Sequence, residues 1–275
     1  MSMTESMTVS MQRRPSALGS LGRLTACLSI GLVAALAPGC GGEPSAPVAE
    51  AQQPIIGGVP TTGDPAVVAL YGIAPGADKG ALCTATIISP TVVLTAAHCV
   101  DPSIVGTGLV YSVLTGSDLT DKAHPSPKLA VKETHFDPLF DHNNILNGHD
   151  IAVAILESPT TITPLPWNAD AISPALKGQS ARLVGYGLND GFGQKGAGLK
   201  RVATVKLNDF DELLVKTGDL AHTICSGDSG GPVLMKVGGV EKVVGVNSFG
   251  IIFCLFSGNS TRVDKYASFV KSFLK

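Results

Sequence analysis

Three short segments hold side chains suited to nucleophilic catalysis: Thr95-Ala96-Ala97-His98-Cys99, Asp150 at the head of an apolar run, and Cys225-Ser226-Gly227-Asp228-Ser229-Gly230-Gly231-Pro232. Taken alone, a histidine beside a cysteine is a packed core residue, and an aspartate ahead of a strand is a turn residue. The octapeptide is harder to explain by structure, because a glycine-rich turn does not need Asp, Ser and Pro in that order. A serine hydroxyl is a poor nucleophile at neutral pH and requires a base within hydrogen-bond reach. An imidazole, with an ordinary pKa of about 6.5, can take that proton and return it to a leaving group. A carboxylate on the same ring would hold the correct tautomer. The three segments thus hold residue types that acyl transfer needs: a histidine, an aspartate and a serine.

Those residues need a rigid frame, and the sequence describes one made of strands. Short apolar or alternating runs occur at 66–71, 81–88, 92–96, 109–114, 152–156, 181–184, 200–207, 232–235 and 242–246. Turn chemistry separates them, as at Ser89-Pro90, Thr115-Gly116-Ser117-Asp118 and Gly238-Gly239. Many short strands at this spacing indicate a sandwich or barrel rather than alternating strands and helices. The stretch 159–171, with Pro164, Pro166 and Trp167, reads as a connector between two halves. Val263, Tyr266, Phe269, Val270 and Phe273 fall at helical spacing, which predicts an amphipathic C-terminal helix. With 44% hydrophobic and 15% charged residues, a sizeable core is available. A net charge of −2, with no cluster of lysine, arginine and aromatic residues, argues against a nucleic-acid partner.

The N-terminal region reads as an export signal over residues 1–40. Arg13, Arg14 and Arg23 precede the apolar run 24–37, which is shorter than the roughly 20 residues of a membrane span and suits a signal-peptide core. The small residues Ala37-Pro38-Gly39-Cys40 resemble a bacterial lipoprotein signal, in which the cysteine becomes the lipidated first residue. Ordinary signal-peptidase cleavage nearby is the other reading. The chain is expected to be exported: periplasmic, attached to the outer membrane through Cys40, or secreted. Residues 41–54 form a linker or pro-segment. Of the six cysteines, Cys27 would leave with the signal; if Cys40 carries lipid, four remain for two bridges in an oxidising compartment.

The TAAHC, DIAVAIL and GDSGGP segments, in His…Asp…Ser order, resemble the trypsin/chymotrypsin family, and the likeness runs from Ile55 to the C-terminus. It implies an all-β fold over 55–275: two six-stranded antiparallel Greek-key β-barrels with a C-terminal α-helix. It implies a serine endopeptidase with His98, Asp150 and Ser229 as its triad and Gly227 and Ser229 as oxyanion donors. It also implies the disulfides Cys83–Cys99 and Cys225–Cys254. Ile55-Ile56-Gly57-Gly58 resembles the family's mature N-terminus, whose freed amine pairs with the acid before the nucleophile, here Asp228. The chain is then a zymogen cut before Ile55. Pro54 stands where the family's zymogens usually carry Arg or Lys, so an activating protease of another kind is expected.

By the same resemblance the substrate pocket has Thr223 as floor, Ser248, Phe249 and Gly250 as one wall and Gly258 in the far wall, with Ile224 adding an apolar surface. Trypsin-like enzymes have an aspartate at the floor, because a buried cation needs a counter-charge. Thr223 supplies none. Large apolar or aromatic residues are therefore expected before the scissile bond, rather than Arg or Lys. No cofactor is implied. His124, His135, His142, His149 and His222 lack ligand spacing, so no catalytic metal is expected. The expected partners are protein or peptide substrates, with the chain itself a monomer. The alternative is a catalytically silent relative serving as a binding or adhesion protein.

Overall fold

The computed structural model describes residues 55–251 and 254–274. The export signal, Cys40 and the 41–54 linker lie outside the described residues. The short strand β1 (Val59–Pro60) is followed by β2 (Val67–Ile73), β3 (Ala81–Ile87), β4 (Val92–Thr95), β5 (Val110–Leu114), β6 (Lys128–Phe136) and β7 (Ala152–Leu156). The last six close into a barrel in the order β2-β3-β4-β7-β6-β5, every pairing antiparallel. A second group follows: β8 (Ser180–Gly185), β9 (Arg201–Phe210), β10 (Leu214–Thr217), β11 (Pro232–Val237), β12 (Val240–Ile251) and β13 (Leu255–Arg262). These six close in the order β8-β9-β10-β13-β12-β11, and β1 pairs with the start of β9. Both rings use the same Greek-key order, so one connection pattern is used twice. The two antiparallel barrels implied by the resemblance are present.

The residue patterns account for these strands. In β9, Arg201, Ala203, Val205 and Leu207 are buried, while Thr204, Lys206 and Asn208 are exposed. This is the period-2 alternation of a strand with one face inward. β4 is buried at all four positions and reads as a continuous apolar run. Two apolar clusters result. One fills the first barrel and reaches Val184, Leu234, Val243 and Val246 of the second. The other fills the second barrel with Leu183, Val205, Leu207, Val215, Val233 and Val244, and takes in Ile55 and Ile224.

The connector touches both barrels: Leu165 N–H donates to Ile87 O at 2.9 Å, and Asn168 N–H to Val243 O at 2.9 Å. The C-terminal segment begins as a 3-10 turn, Asp264–Tyr266, before the short helix α1 (Ala267–Lys271). Val263, Tyr266 and Val270 are buried against the first barrel, with Phe269 and Phe273 partly covered. The helix is thus shorter than its apolar spacing suggested. Among the described residues, no helix is long and apolar enough to cross a membrane.

Candidate active site

His98 lies on a one-turn 3-10 helix, Ala97–Cys99, directly after β4, and Asp150 stands just before β7. Because β4 and β7 pair antiparallel, with Thr95 opposite Ala152, the two residues meet at one end of the first barrel. Asp150 is wholly buried and uses both carboxylate oxygens on His98. Oδ1 accepts the His98 backbone N–H at 2.9 Å, and Oδ2 lies 2.8 Å from ring Nδ1. Ser248, on β12 of the second barrel, donates its hydroxyl to the same Oδ2. Burial alone would push the Asp150 pKa up; the His98 ring and charge, with the Ser248 hydroxyl and the His98 amide, outweigh it and leave the pKa below the usual carboxylate value. The contact that fixes the imidazole is also a stability term: it is present above the ordinary carboxylate pKa and is lost as pH falls through the depressed value. The His98 side chain retains 21% of its surface.

Ser229 comes from the turn before β11 and reaches the His98 end of the first barrel through Thr84 on β3. Thr84 N–H donates to Ser229 O at 2.8 Å, and the Thr84 hydroxyl donates to Gly227 O at 2.8 Å. That hydroxyl also accepts the Tyr186 N–H at 3.0 Å, so one small side chain joins three segments. Gly230 N–H donates to Asn247 O at 2.7 Å, tying the turn to β12 beside Ser248. The glycines here are obligatory. A Cβ on Gly227 (φ +95°) would sit 2.8 Å from Gly187 Cα. On Gly230 (φ +81°) it would sit 2.1 Å from Thr95 Oγ1 and 2.3 Å from Thr84 O. Gly230→Ala is therefore expected to cost about 2–4 kcal/mol, from the left-handed backbone plus the overlap with strand backbone. Urea unfolding would measure it, and a loss below about 0.5 kcal/mol would contradict this packing.

Two disulfides hold the same segments. Cys83 on β3 is bonded to Cys99, beside His98, and Cys225 is bonded to Cys254 at the turn between β12 and β13. They close loops of 16 and 29 residues, each contributing on the order of 3 kcal/mol in the chain-entropy account.

Asp228 occupies a different environment from Asp150. It is fully buried between Gly185 and Gly187, where a side chain on either glycine would overlap its carboxylate. Oδ1 accepts the Gly187 N–H at 2.8 Å and Oδ2 the Cys225 N–H at 2.9 Å. Burial pushes its pKa up to about 7, against the lowering effect of those two amides and of the Arg201 charge. Ile55 is likewise buried, and Ile56 bridges to Thr223 in the segment leading to Asp228.

The family model described as Trypsin matches residues 55–270, a span that holds both barrels and all of these side chains. The chain belongs to the trypsin family. Its relatives include chymotrypsin-like elastase family member 1 of Bos taurus, 28% identical over 214 residues, covering 69% of this chain and 77% of that protein. Chymotrypsin of Phaedon cochleariae is 27% identical over 222 residues, covering 74% of this chain and 76% of its own length. Glucanase inhibitor protein 1 of Phytophthora sojae is 26% identical over 198 residues, covering 66% and 72%. Membership of the family implies protein substrates, and the two disulfides among the described residues fit an oxidising compartment.

Beside Ser229 in this trypsin-family chain lies a cleft of about 310 Å³, lined by Ile224, Cys225, Ser226, Ser229, Ser248, Phe249, Gly250 and Cys254 together with Gly191 and Gln194. Two residues that the resemblance placed in the pocket, Thr223 and Gly258, are not among its lining. Thr223 is only 1% exposed, and the Ile224 side chain lies against Gly258, where it would overlap any Cβ at that position.

Three of the remaining histidines have local partners. His135 stacks on Phe273 at 4.9 Å, while His124 and His222 pair with Asp121 and Asp219. Among the described residues one close group of metal-ligand type occurs, Cys83, His98 and Cys99, and its two sulfurs are bonded to each other. Sequence reasoning missed Thr84 as the link between barrels, Ser248 as a partner of Asp150, and the Gly185/Gly187 cradle of Asp228. Only the Gly-Tyr-Gly triplet ending β8 gave a signal, since paired glycines in a strand mark close approach of another group.

Proposed function

We propose that the chain is an exported serine endopeptidase with His98, Asp150 and Ser229 as its triad, made as a zymogen and activated by a cut before Ile55. The observation that carries this reading is the fixed imidazole: Asp150 holds His98 through two hydrogen bonds, and its third partner, Ser248, lines the same cleft as Ser229. In the reaction, Ser229 Oγ attacks the carbonyl carbon of the scissile bond as its proton passes to His98 Nε2. The tetrahedral oxyanion is met by the N–H groups of Gly227 and Ser229. Collapse expels the amine, which takes the proton from His98, and leaves an acyl-enzyme; water, giving its proton to His98, then attacks the acyl carbon, and breaking of the ester bond releases the acid while Ser229 Oγ takes that proton back.

The cleft has an apolar face at Ile224 and Phe249 and no charged residue among the described residues that line it, so apolar residues rather than Arg or Lys precede the cut. Export is read from the N-terminal signal, with membrane attachment through Cys40 and a monomeric mature domain as parts of the same proposal. Pro54 before the cut calls for a protease that does not require Arg or Lys there.

A second reading has an observation behind it: one of the relatives bears the name of a glucanase inhibitor. A binding protein on this fold would have no need of a reactive serine. Treatment of the chain processed to Ile55 with a fluorophosphonate separates the two. Stoichiometric modification at Ser229, blocked by prior denaturation, is expected; an unmodified Ser229 in folded protein would favour the binding protein.

A further inference from the structure

We infer that Ile224 is the specificity-determining residue of the cleft: it forms a shallow floor that admits Val or Leu before the scissile bond and shuts out aromatic rings. The inference rests on the peptidase reading above and narrows its apolar preference.

Gly250 and Gly258 are cross-strand partners on β12 and β13, and Ile224 lies against both. Its carbonyl oxygen is 3.4 Å from the position a Gly250 Cβ would take, an ordinary contact that leaves the cleft mouth open. Its side chain goes the other way. A Cβ on Gly258 would lie 2.6 Å from Ile224 Cγ1 and 2.9 Å from Cδ1. The space that a glycine at 258 would leave to a substrate is therefore filled by Ile224, which spans the cleft from one wall to the other. Thr223, the residue before it, is only 1% exposed.

Ile224 has little freedom to retreat. It is β-branched and so restricted at χ1. It precedes Cys225, which is bonded to Cys254, and it packs in the second barrel's core cluster. A ring entering deeper than this floor would have to displace a packed side chain, and cores resist such insertion. At the mouth Gly250 puts no side chain across the entrance, and its nearest neighbour, Ile224 O, leaves an ordinary contact. An open mouth above a floor filled by Ile224 would select Val and Leu over Ala, which underfills the site, and over Phe and Tyr, which overrun it.

The test uses the chain processed to Ile55 and peptide anilides that differ only in the residue before the cut. Wild type is expected to cleave after Leu or Val with kcat/KM at least about tenfold above that for Phe. Ile224→Ala is expected to raise the Phe-to-Leu ratio by at least about tenfold. Equal or better cleavage after Phe in wild type overturns the inference without any variant. A binding readout stands apart from catalysis: indole, observed by NMR in the cleft, is expected to bind Ile224→Ala at least about tenfold more tightly than wild type. Equal indole affinity overturns the shallow floor even if Ser229 reacts with fluorophosphonate. Failure of Ser229 to react, with indole discrimination intact, would remove the peptidase reading and leave the cleft geometry standing. Ile224→Ser serves the same comparisons should the alanine variant not fold.

Discussion

Replacing Ser229 with alanine is expected to lower kcat toward a Leu-containing peptide by about 10⁶-fold, with KM little changed. The size follows from what is removed. Without the hydroxyl there is no acyl-enzyme, and the only nucleophile left is water held in no particular place. His98→Ala should cost about as much, because the hydroxyl without a base is nearly inert at neutral pH. The double variant should be no worse than either single one, since the two residues act in one step. Asp150→Asn should cost about 10⁴-fold. The loss would come from the imidazole: with Oδ1 on the His98 amide and Oδ2 at Nδ1, Asp150 leaves Nε2 as the basic nitrogen. An asparagine amide would donate to the ring and reverse that tautomer. Single-turnover and steady-state rates, with circular dichroism to show that each variant folds, would measure all four. Additive losses in the double variant, or a Ser229→Ala enzyme within about tenfold of wild type, would remove the triad from the mechanism.

The polar contacts that hold this geometry show why sequence alone could read the chemistry further than its supports. The apolar runs at 92–96 and 152–156 were legible because both are strands whose burial is nearly complete, and the observed β4 and β7 fall within them. β6 was not legible, because none of Lys128–Phe136 is fully buried and charged residues occupy several of its positions. β13 was hidden for the opposite reason. Its Ser-Gly-Asn-Ser-Thr composition reads as a turn, yet Ser260 and Thr261 are fully buried, the serine hydroxyl bonded to Asn247. Polar residues inside a barrel are invisible to a pattern of hydrophobicity, since only the partner explains their burial. The same holds at the site. His98, Asp150 and Ser229 announce themselves by type and spacing, whereas Thr84 is an ordinary strand threonine until its hydroxyl is seen between Gly227 and Tyr186. The pocket floor needed coordinates for a different reason: Gly258 in sequence implies room, and only the path of the Ile224 side chain shows that the room is taken.

Cutting the chain between Pro54 and Ile55 is expected to raise kcat by about 10²–10³-fold, and Asp228→Asn should abolish that gain. The cost of Asp228 is the starting point. With a pKa pushed up to about 7 by burial, ionising it in the uncut chain costs about 4 kcal/mol more than in water. The stability that the raised pKa contributes is full below the ordinary carboxylate value and is lost as pH rises toward about 7. The Gly187 and Cys225 amides offset part of the charge but bring no positive counter-charge. A new α-ammonium at Ile55 would supply one from a segment that is already buried in the second barrel's core, with Ile56 bridged to Thr223. Paired in that way, Asp228 would ionise at lower pH and hold Gly227 with its N–H turned to the oxyanion; one such donor is worth about 10²–10³ in kcat. The amine's pKa would rise through the same pairing, so its contribution is complete below about pH 8 and disappears as pH climbs through the elevated value. The cut enzyme should consequently lose activity reversibly on the alkaline side, while the uncut chain, having no amine at that position, should show no such limb. Parallel pH–rate profiles of the two forms from about pH 5 to about pH 11 would decide it. A cut enzyme whose rate still climbs at about pH 11, or an Asp228→Asn variant that responds fully to cutting, would mean that Gly227 is held in place by the turn and the Cys225–Cys254 bridge alone.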